Sequence, residues 1–342
     1  MMRGVIDLDS HLMEPQDFLV PFAPIALRDA LVLQAAPPDD QIASGNGGQW
    51  SAPGAFDRDE RRIVLDQLGI ARQVVLPTLA HLAHLGTSLV VEAARAQRRA
   101  MSAWSDGDPR FLPAATVPMD EPNAAIDLIG DAAEAGFRLV LLTTARPQPT
   151  LPVAPDQIRV WHALADSGLA GVLHFGTTGS GLPTGWRTLG ADGDHRFVDS
   201  MDVVLAHQSA EATVAAMALS ATFARTPSPR LLIAEHGAAW VPGLLAQLDA
   251  FQRSSSGSEA FGSHDELLST RVGNAITVVP FAFEPVGNLI AAIGDHVLGF
   301  ATNHPHPHNG TDPVATFASV LNGRDGAAFF STNGTRLLDR GH

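Results

Sequence analysis

The sequence has no cysteine, no tyrosine and no lysine, so all 22 of its basic residues are arginine. Without cysteine there is no thiol nucleophile, disulfide, iron–sulfur cluster or cysteine-ligated zinc. Without lysine there is no Schiff-base or pyridoxal-phosphate lysine, no phosphate-loop lysine and no carbamylated-lysine metal bridge. A basic surface is missing too. The chain carries 36 carboxylates against 22 arginines, a net charge of −14, with no basic patch. That balance argues against nucleic acid and anionic membrane as partners. No apolar run approaches the ~20 residues of a membrane span. The opening Met1-Met2-Arg3-Gly4-Val5 enters strand-like sequence without a secretory apolar stretch. These features predict a soluble, cytoplasmic chain. What remains for chemistry is 14 histidines and 36 carboxylates, an inventory suited to metal-assisted or acid–base catalysis.

At about 100–200 residues per domain, 342 residues allow two domains or one large α/β barrel with insertions. Short apolar runs fall at residues 4–9, 73–78, 111–118, 139–145, 171–176, 231–237, 277–281 and 298–303. Amphipathic, alanine-rich stretches lie between them, at 57–68, 88–105, 121–135, 155–167, 198–224, 241–251, 285–293 and 312–321. Nearly continuous runs such as Val74-Val75-Leu76 and Leu139-Val140-Leu141-Leu142 suit parallel strands buried on both faces. Eight strands alternating with about eight helices is the count of a (β/α)8 TIM barrel. A doubly wound open sheet is the alternative, because strand order is not visible in sequence. Pro155-Asp156 and Glu121-Pro122 read as first turns, and Gly136 and Gly168 as left-handed caps. The expectation is one domain over residues 1–342, with loop insertions at about 35–54, 177–195 and 254–264, the first two rich in turn-forming residues. The loop after the fifth strand would sit at the C-terminal face, where barrels carry their sites.

The chemistry-bearing residues fall at the ends of the predicted strands. The first ends in Asp9-Ser10-His11, the fifth in His174, the sixth in Glu235-His236 and the eighth in Asn303, with His304, His306 and His308 following. Asp9 and His11 are two apart and share one side of an extended chain. Two ligands from one strand end plus a histidine from across a barrel can hold a divalent ion, and these donors suit zinc, manganese or iron. Taken singly, each residue has a structural reading: Asp9 as a helix cap, His11 and His174 as core histidines bonded to backbone. The joint pattern points to metal or acid–base function.

The segments also resemble a known family. Val5-Ile6-Asp7-Leu8-Asp9-Ser10-His11-Leu12-Met13-Glu14-Pro15 is similar to the opening of amidohydrolase-related proteins of the aminocarboxymuconate-semialdehyde decarboxylase type, in the subset beginning Asp-Ser-His-x-x-Glu-Pro. The likeness continues through Phe56 to Thr78, Asp108 to Leu142, His174-Phe175-Gly176, Ile233 to Asp249, Thr302 to Gly310 and Phe329 to Leu338. It implies a (β/α)8 barrel with metal at its C-terminal face. Asp9, His11 and His174 match metal ligands, and His236 matches the catalytic histidine of the decarboxylases. Glu14 and His207 match positions that look metal-binding in a branch of dinuclear oxygenases. The family usually has an aspartate, as ligand and general base, where this chain has Asn303. Asparagine offers a neutral carbonyl oxygen but takes no proton from water. His304 or His306 would then supply the base. Trp240 is a candidate pocket wall, and Arg187 a candidate clamp for a substrate carboxylate.

The resemblance implies a metal-dependent enzyme acting on a small organic metabolite, with a homodimer as one assembly open to it. Non-oxidative decarboxylation or other C–C cleavage suits Asn303 better than hydrolysis does. The alternatives are hydrolysis with a histidine base, a dinuclear iron or manganese oxygenase, and a metal-free or non-catalytic barrel.

Overall fold

In the computed structural model the apolar runs form one parallel sheet; the residues described are 4–32, 51–78, 82, 85, 87–144, 150–177, 201, 204–254, 266–306 and 309–339. β1 (Val5–Asp7) pairs with β3 (Ile70–Pro77), and the order continues through β4 (Phe111–Pro118), β5 (Leu139–Thr143), β6 (Ala170–His174), β7 (Arg230–Ala234) and β8 (Ile276–Val278). β2 (His11–Leu12) lies beyond β1 and also pairs with β3. Every ladder is parallel. Each strand therefore points its C-terminal end the same way, and the side chains at those ends share one face of the sheet.

The two-residue period of a strand sorts the apolar side chains into two cores. Ile6, Leu8, Val74, Leu76, Leu139, Leu141, Val172 and Leu232 pack together on the inner face of the curled sheet. Val75, Val117, Val140, Leu142, Leu173 and Ile233 face outward and pack against helices. That double burial is why the strands read as unbroken apolar runs.

The helices between strands begin and end where the sequence marks them. α2 (Arg58–Leu68) is capped by Asp57, whose side chain accepts from Glu60 N, and it ends at left-handed Gly69. α4 (Pro122–Glu134) and α5 (Pro155–Ser167) each start on a proline, and Gly168 ends α5 at φ 69°. α1 (Ile25–Val32) and α3 (Thr87–Ser105) flank α2 in the chain, and α6 (His207–Leu219), α7 (Val241–Ser254), α8 (Leu268–Ala275), α9 (Val286–Ile293), α10 (Pro313–Val320) and α11 (Asn333–Leu338) complete the described set. The amphipathic stretch expected over 198–224 is helical as α6, and a short 3-10 turn follows at Thr222–Ala224. Among the described residues no helix is long and apolar enough to cross a membrane.

The segment expected as the eighth strand, 298–303, carries bridges rather than a regular strand. On one side Val278 N donates to Val297 O and Gly299 N to Val278 O. On the other, Leu8 N donates to Phe300 O, Asn303 N to Asp9 O and His11 N to His304 O. Two features break its regularity. A Cβ on Gly299 would stand 2.4 Å from Leu8 Cδ1, so only glycine allows the chain this close. Asn303 adopts φ 56°, which ends the extended run. The segment thus lies between β8 and β1 and delivers Asn303 beside Asp9. Most of the three expected loop insertions, 33–50, 178–195 and 255–264, lies outside the described residues.

Candidate metal centre

Asp9, His11, His174 and Glu235 converge at the C-terminal ends of the strands. One ligand atom from each lies within 4.8 Å of the others. His11 Nε2 is 3.5 Å from Asp9 Oδ1 and 3.7 Å from Glu235 Oε1. His174 Nε2 is 3.7 Å from the same Asp9 oxygen and 3.4 Å from Glu235 Oε2. The two imidazoles meet edge to face, with centroids 5.0 Å apart. Asn303 joins the group from the segment between β8 and β1. Its Oδ1 is 3.0 Å from His11 Nε2, and its Nδ2 donates to Glu235 Oε1 at 2.7 Å.

The ring orientations are set from behind. His174 Nδ1 donates to the carbonyl of Phe175 at 2.6 Å, which leaves the Nε2 lone pair facing the cluster. That Nε2 and Asp9 Oδ1 are both buried without a hydrogen-bond partner among the described residues. Two buried acceptors, 3.7 Å apart and with no donor between them, are costly unless a cation sits among them. The donor set, two imidazole nitrogens and two carboxylates, suits a divalent first-row metal. The residues present therefore fit a metal ion.

Burial raises the Asp9 carboxyl above its ordinary range, although the His174 and His11 charges pull it down. Burial alone would depress the His11 imidazole. Its hydrogen bond to the Glu235 carboxylate and the charges of Asp9 and Glu235 outweigh it and hold the ring above its usual value. For Glu235, burial is overcome by His174 and His11, and its carboxyl lies well below the usual range.

A second layer of buried polar groups fixes the strand ends. Asp7 accepts from the backbone N–H of Asp9 and Thr302, the hydroxyl of Thr302 and the amide of Gln73. Burial still pushes its carboxyl up to about 6. Arg61, fully buried on α2, donates to the carbonyls of His11, Gly54 and Ala55 and to the hydroxyl of Ser10. Burial lowers its guanidinium to about 9, against the opposing pull of Asp7. Asp7 ties Asp9 to Thr302, next to Asn303, while Arg61 holds the backbone of His11.

The structure brings together Asp9, His11, His174 and Asn303 of the expected residues, with the His306 ring 4.7 Å from that of His11. It places the others elsewhere. Strand period would have pointed His236 at the cluster, because Leu232 and Ala234 face inward. Glu235 adopts a left-handed φ of 57°, which breaks that alternation. Glu235 therefore reaches the ligand group, and His236 stands beside it. His236 Nδ1 donates to Ala206 O at 2.6 Å, its Nε2 is buried without a hydrogen-bond partner, and burial lowers its pKa to about 4. His304 is bonded through its ring to the Gly54 backbone, and burial together with Arg61 lowers it to about 3. It is held as a neutral ring.

Glu14 is not part of the ligand group. It is buried against the Thr78 hydroxyl and the Gln97 amide, and burial raises it to about 8. His207 opens α6 and faces Glu211 one turn on, at 3.8 Å. Trp240 donates from Nε1 to Gly237 O and packs into the outer core. Arg187 lies outside the described residues. Glu235 was legible as a carboxylate at a strand end, but its left-handed backbone was not. Arg61 gave no signal, since arginine in Arg58-Asp59-Glu60-Arg61-Arg62 reads as a solvated helix face.

The profile of the amidohydrolase family matches residues 6–340. The chain belongs to that family and is an enzyme of the metal-dependent hydrolase or carboxy-lyase type. No protein of curated function matches its sequence. Solved structures share the fold over nearly the whole chain. An amidohydrolase from Mycobacterium avium subsp. paratuberculosis is 20% identical with a TM-score of 0.73, covering 99% of this chain and 100% of its own. The 2,6-dihydroxybenzoate decarboxylase from Rhizobium is 15% identical with a TM-score of 0.67, covering 98% and 99%. The 5-carboxyvanillate decarboxylase from Novosphingobium aromaticivorans, with manganese and a nitrobenzoic acid bound, is 16% identical with a TM-score of 0.70, covering 98% and 96%.

Proposed function

We propose that this protein is a metal-dependent decarboxylase of a small hydroxylated carboxylic acid, acting at the C-terminal mouth of a closed eight-stranded barrel. Closure is supported by the bonds of 297–304 to β8 on one side and to Leu8, Asp9 and His11 on the other. The observation that carries the site is the pair of orphaned acceptors, Asp9 Oδ1 and His174 Nε2, within a ring of two imidazoles and two carboxylates. Asp9, His11, His174 and Glu235 would hold manganese, zinc or iron. The ion would bind the substrate's oxygens and withdraw electron density as the C–C bond breaks.

The protein's own groups account for the rest. Asn303 carries no exchangeable acid proton and accepts none, which weighs against a water-activating role at that position. His236 is the group placed to handle a proton. Its tautomer is fixed by the bond to Ala206 O, so the Nε2 lone pair is available to a substrate hydroxyl. Burial, which lowers its pKa to about 4, keeps the ring neutral and able to accept the hydroxyl's hydrogen bond, so that it relays the proton rather than retaining it. That proton, returned to the carbon that loses carbon dioxide, balances the reaction. The decarboxylases named above act on hydroxylated aromatic acids of this kind, which supports the substrate class. A dinuclear oxygenase would need a second ligand group. Among the described residues there is one such group, and Glu14 and His207 stand outside it.

The test is elemental analysis of the purified chain, followed by carbon dioxide release from hydroxybenzoates with the bound metal. About one divalent ion per chain and turnover abolished by His11→Ala are expected. A metal-free active protein, or full metal content in His11→Ala, would overturn the proposal.

A further inference from the structure

We infer that Glu235 and Asn303 form a matched acid–amide pair in which the glutamate alone supplies the anion and the asparagine holds it in place. The inference rests on the metal-centre reading above and concerns which of the two positions carries the charge. Asn303 touches two ligand residues at once. Its Nδ2 donates to Glu235 Oε1 at 2.7 Å, and its Oδ1 lies 3.0 Å from His11 Nε2. An amide donates to the carboxylate from its nitrogen while its neutral oxygen faces the His11 ring. An aspartate at 303 would set two anionic oxygens at hydrogen-bond distance with no proton between them.

The backbone is constrained at both partners. Both residues occupy the left-handed region, Glu235 at φ 57° and Asn303 at φ 56°. Asparagine tolerates that conformation, whereas glutamate does not favour it, so the turn that aims Glu235 inward is an imposed one. Asn303 N is bonded to Asp9 O, and the preceding Thr302 is held twice by Asp7. The amide is therefore anchored to the strand end that carries Asp9, and Glu235 is positioned against it. The centre has places for two carboxylates, Asp9 and one more, and the pair decides that the second comes from the end of β7.

A charge-swap series tests this through manganese affinity, measured by Mn(II) paramagnetic resonance titration of metal-free protein, with thermal melting as the check on folding. Glu235→Gln leaves two amides and should weaken manganese binding on the order of 100-fold. The double variant Glu235→Gln/Asn303→Asp returns a single carboxylate to the pair from the other side. It should recover at least about tenfold of that loss, while a merely structural role for either residue predicts further loss. Wild-type affinity in Glu235→Gln, or a double variant that binds no better than Glu235→Gln, overturns the inference and leaves the metal centre standing. A wild-type protein that binds no divalent ion overturns both.

Discussion

Glu14→Gln should make the protein more stable at neutral pH and leave its metal affinity unchanged. The Glu14 carboxyl is fully buried, and burial raises it from 4.5 to about 8 against the Thr78 and Gln97 hydrogen bonds. The folded chain thus keeps a proton that the unfolded chain gives up. Stability is complete below the unfolded value of 4.5, falls as pH rises towards 8, and then levels off. The slope is about 1.4 kcal/mol per pH unit, so the ionisation withheld by pH 7 amounts to about 3 kcal/mol. Glutamine has the same shape and no proton to lose. Its carbonyl can accept from Gln97, and its amide can donate to the Thr78 hydroxyl, so the loss at pH 5 should stay within about 1 kcal/mol. Urea denaturation of both proteins at pH 5, 6, 7 and 8 gives the comparison. The variant should start level with or slightly below the wild type and gain steadily to about 2–3 kcal/mol by pH 7. Two stability profiles that run parallel across this range would refute a buried, neutral Glu14. A fall in metal affinity would place Glu14 among the ligands instead.

Arg61→Met should cost about 3 kcal/mol or more, because it strands the Gly54 and His11 carbonyls and removes the cation facing Asp7. The melting temperature reports the loss, and metal affinity should fall with it as His11 loosens. Gly299→Ala should cost about 1–3 kcal/mol by forcing a methyl into Leu8, and denaturant midpoints would show it. Trp240→Phe removes one hydrogen bond to Gly237 O and should cost about 1 kcal/mol. Its steady-state kinetics should match the wild type, since the ring lies in the outer core.

Much of the fold was written in the apolar runs. Val74 to Leu76 and Leu139 to Leu142 announce strands because a sheet buried on both faces favours apolar residues at successive positions. Pro122, Pro155, Gly136 and Gly168 announce helix ends because a first turn accepts proline and an end needs a positive φ. The closing segment was less regular than its sequence. Gly299 lies against Leu8 and Asn303 turns left-handed beside Asp9, contacts that only the neighbouring strand reveals. At the centre, Asp9, His11 and His174 could be read from strand ends alone. The choice between Glu235 and His236 could not, because it turns on one backbone angle imposed from outside the residue. Arg61 was hidden for a related reason: its burial depends on five partners, Ser10, His11, Gly54, Ala55 and Gln73, that helix periodicity does not mention.

The clasp of Asp7 on Thr302 spans 295 positions of sequence. Its consequence concerns synthesis. Asp9 and His11 are made early, yet the partner that locks them in place follows only after almost three hundred further residues. A nascent or truncated chain can fold helices and pair neighbouring strands long before it can retain an ion. Metal uptake would thus report that the chain has been made through Thr302, and C-terminal deletions reaching past Thr302 should yield protein that is partly folded and empty.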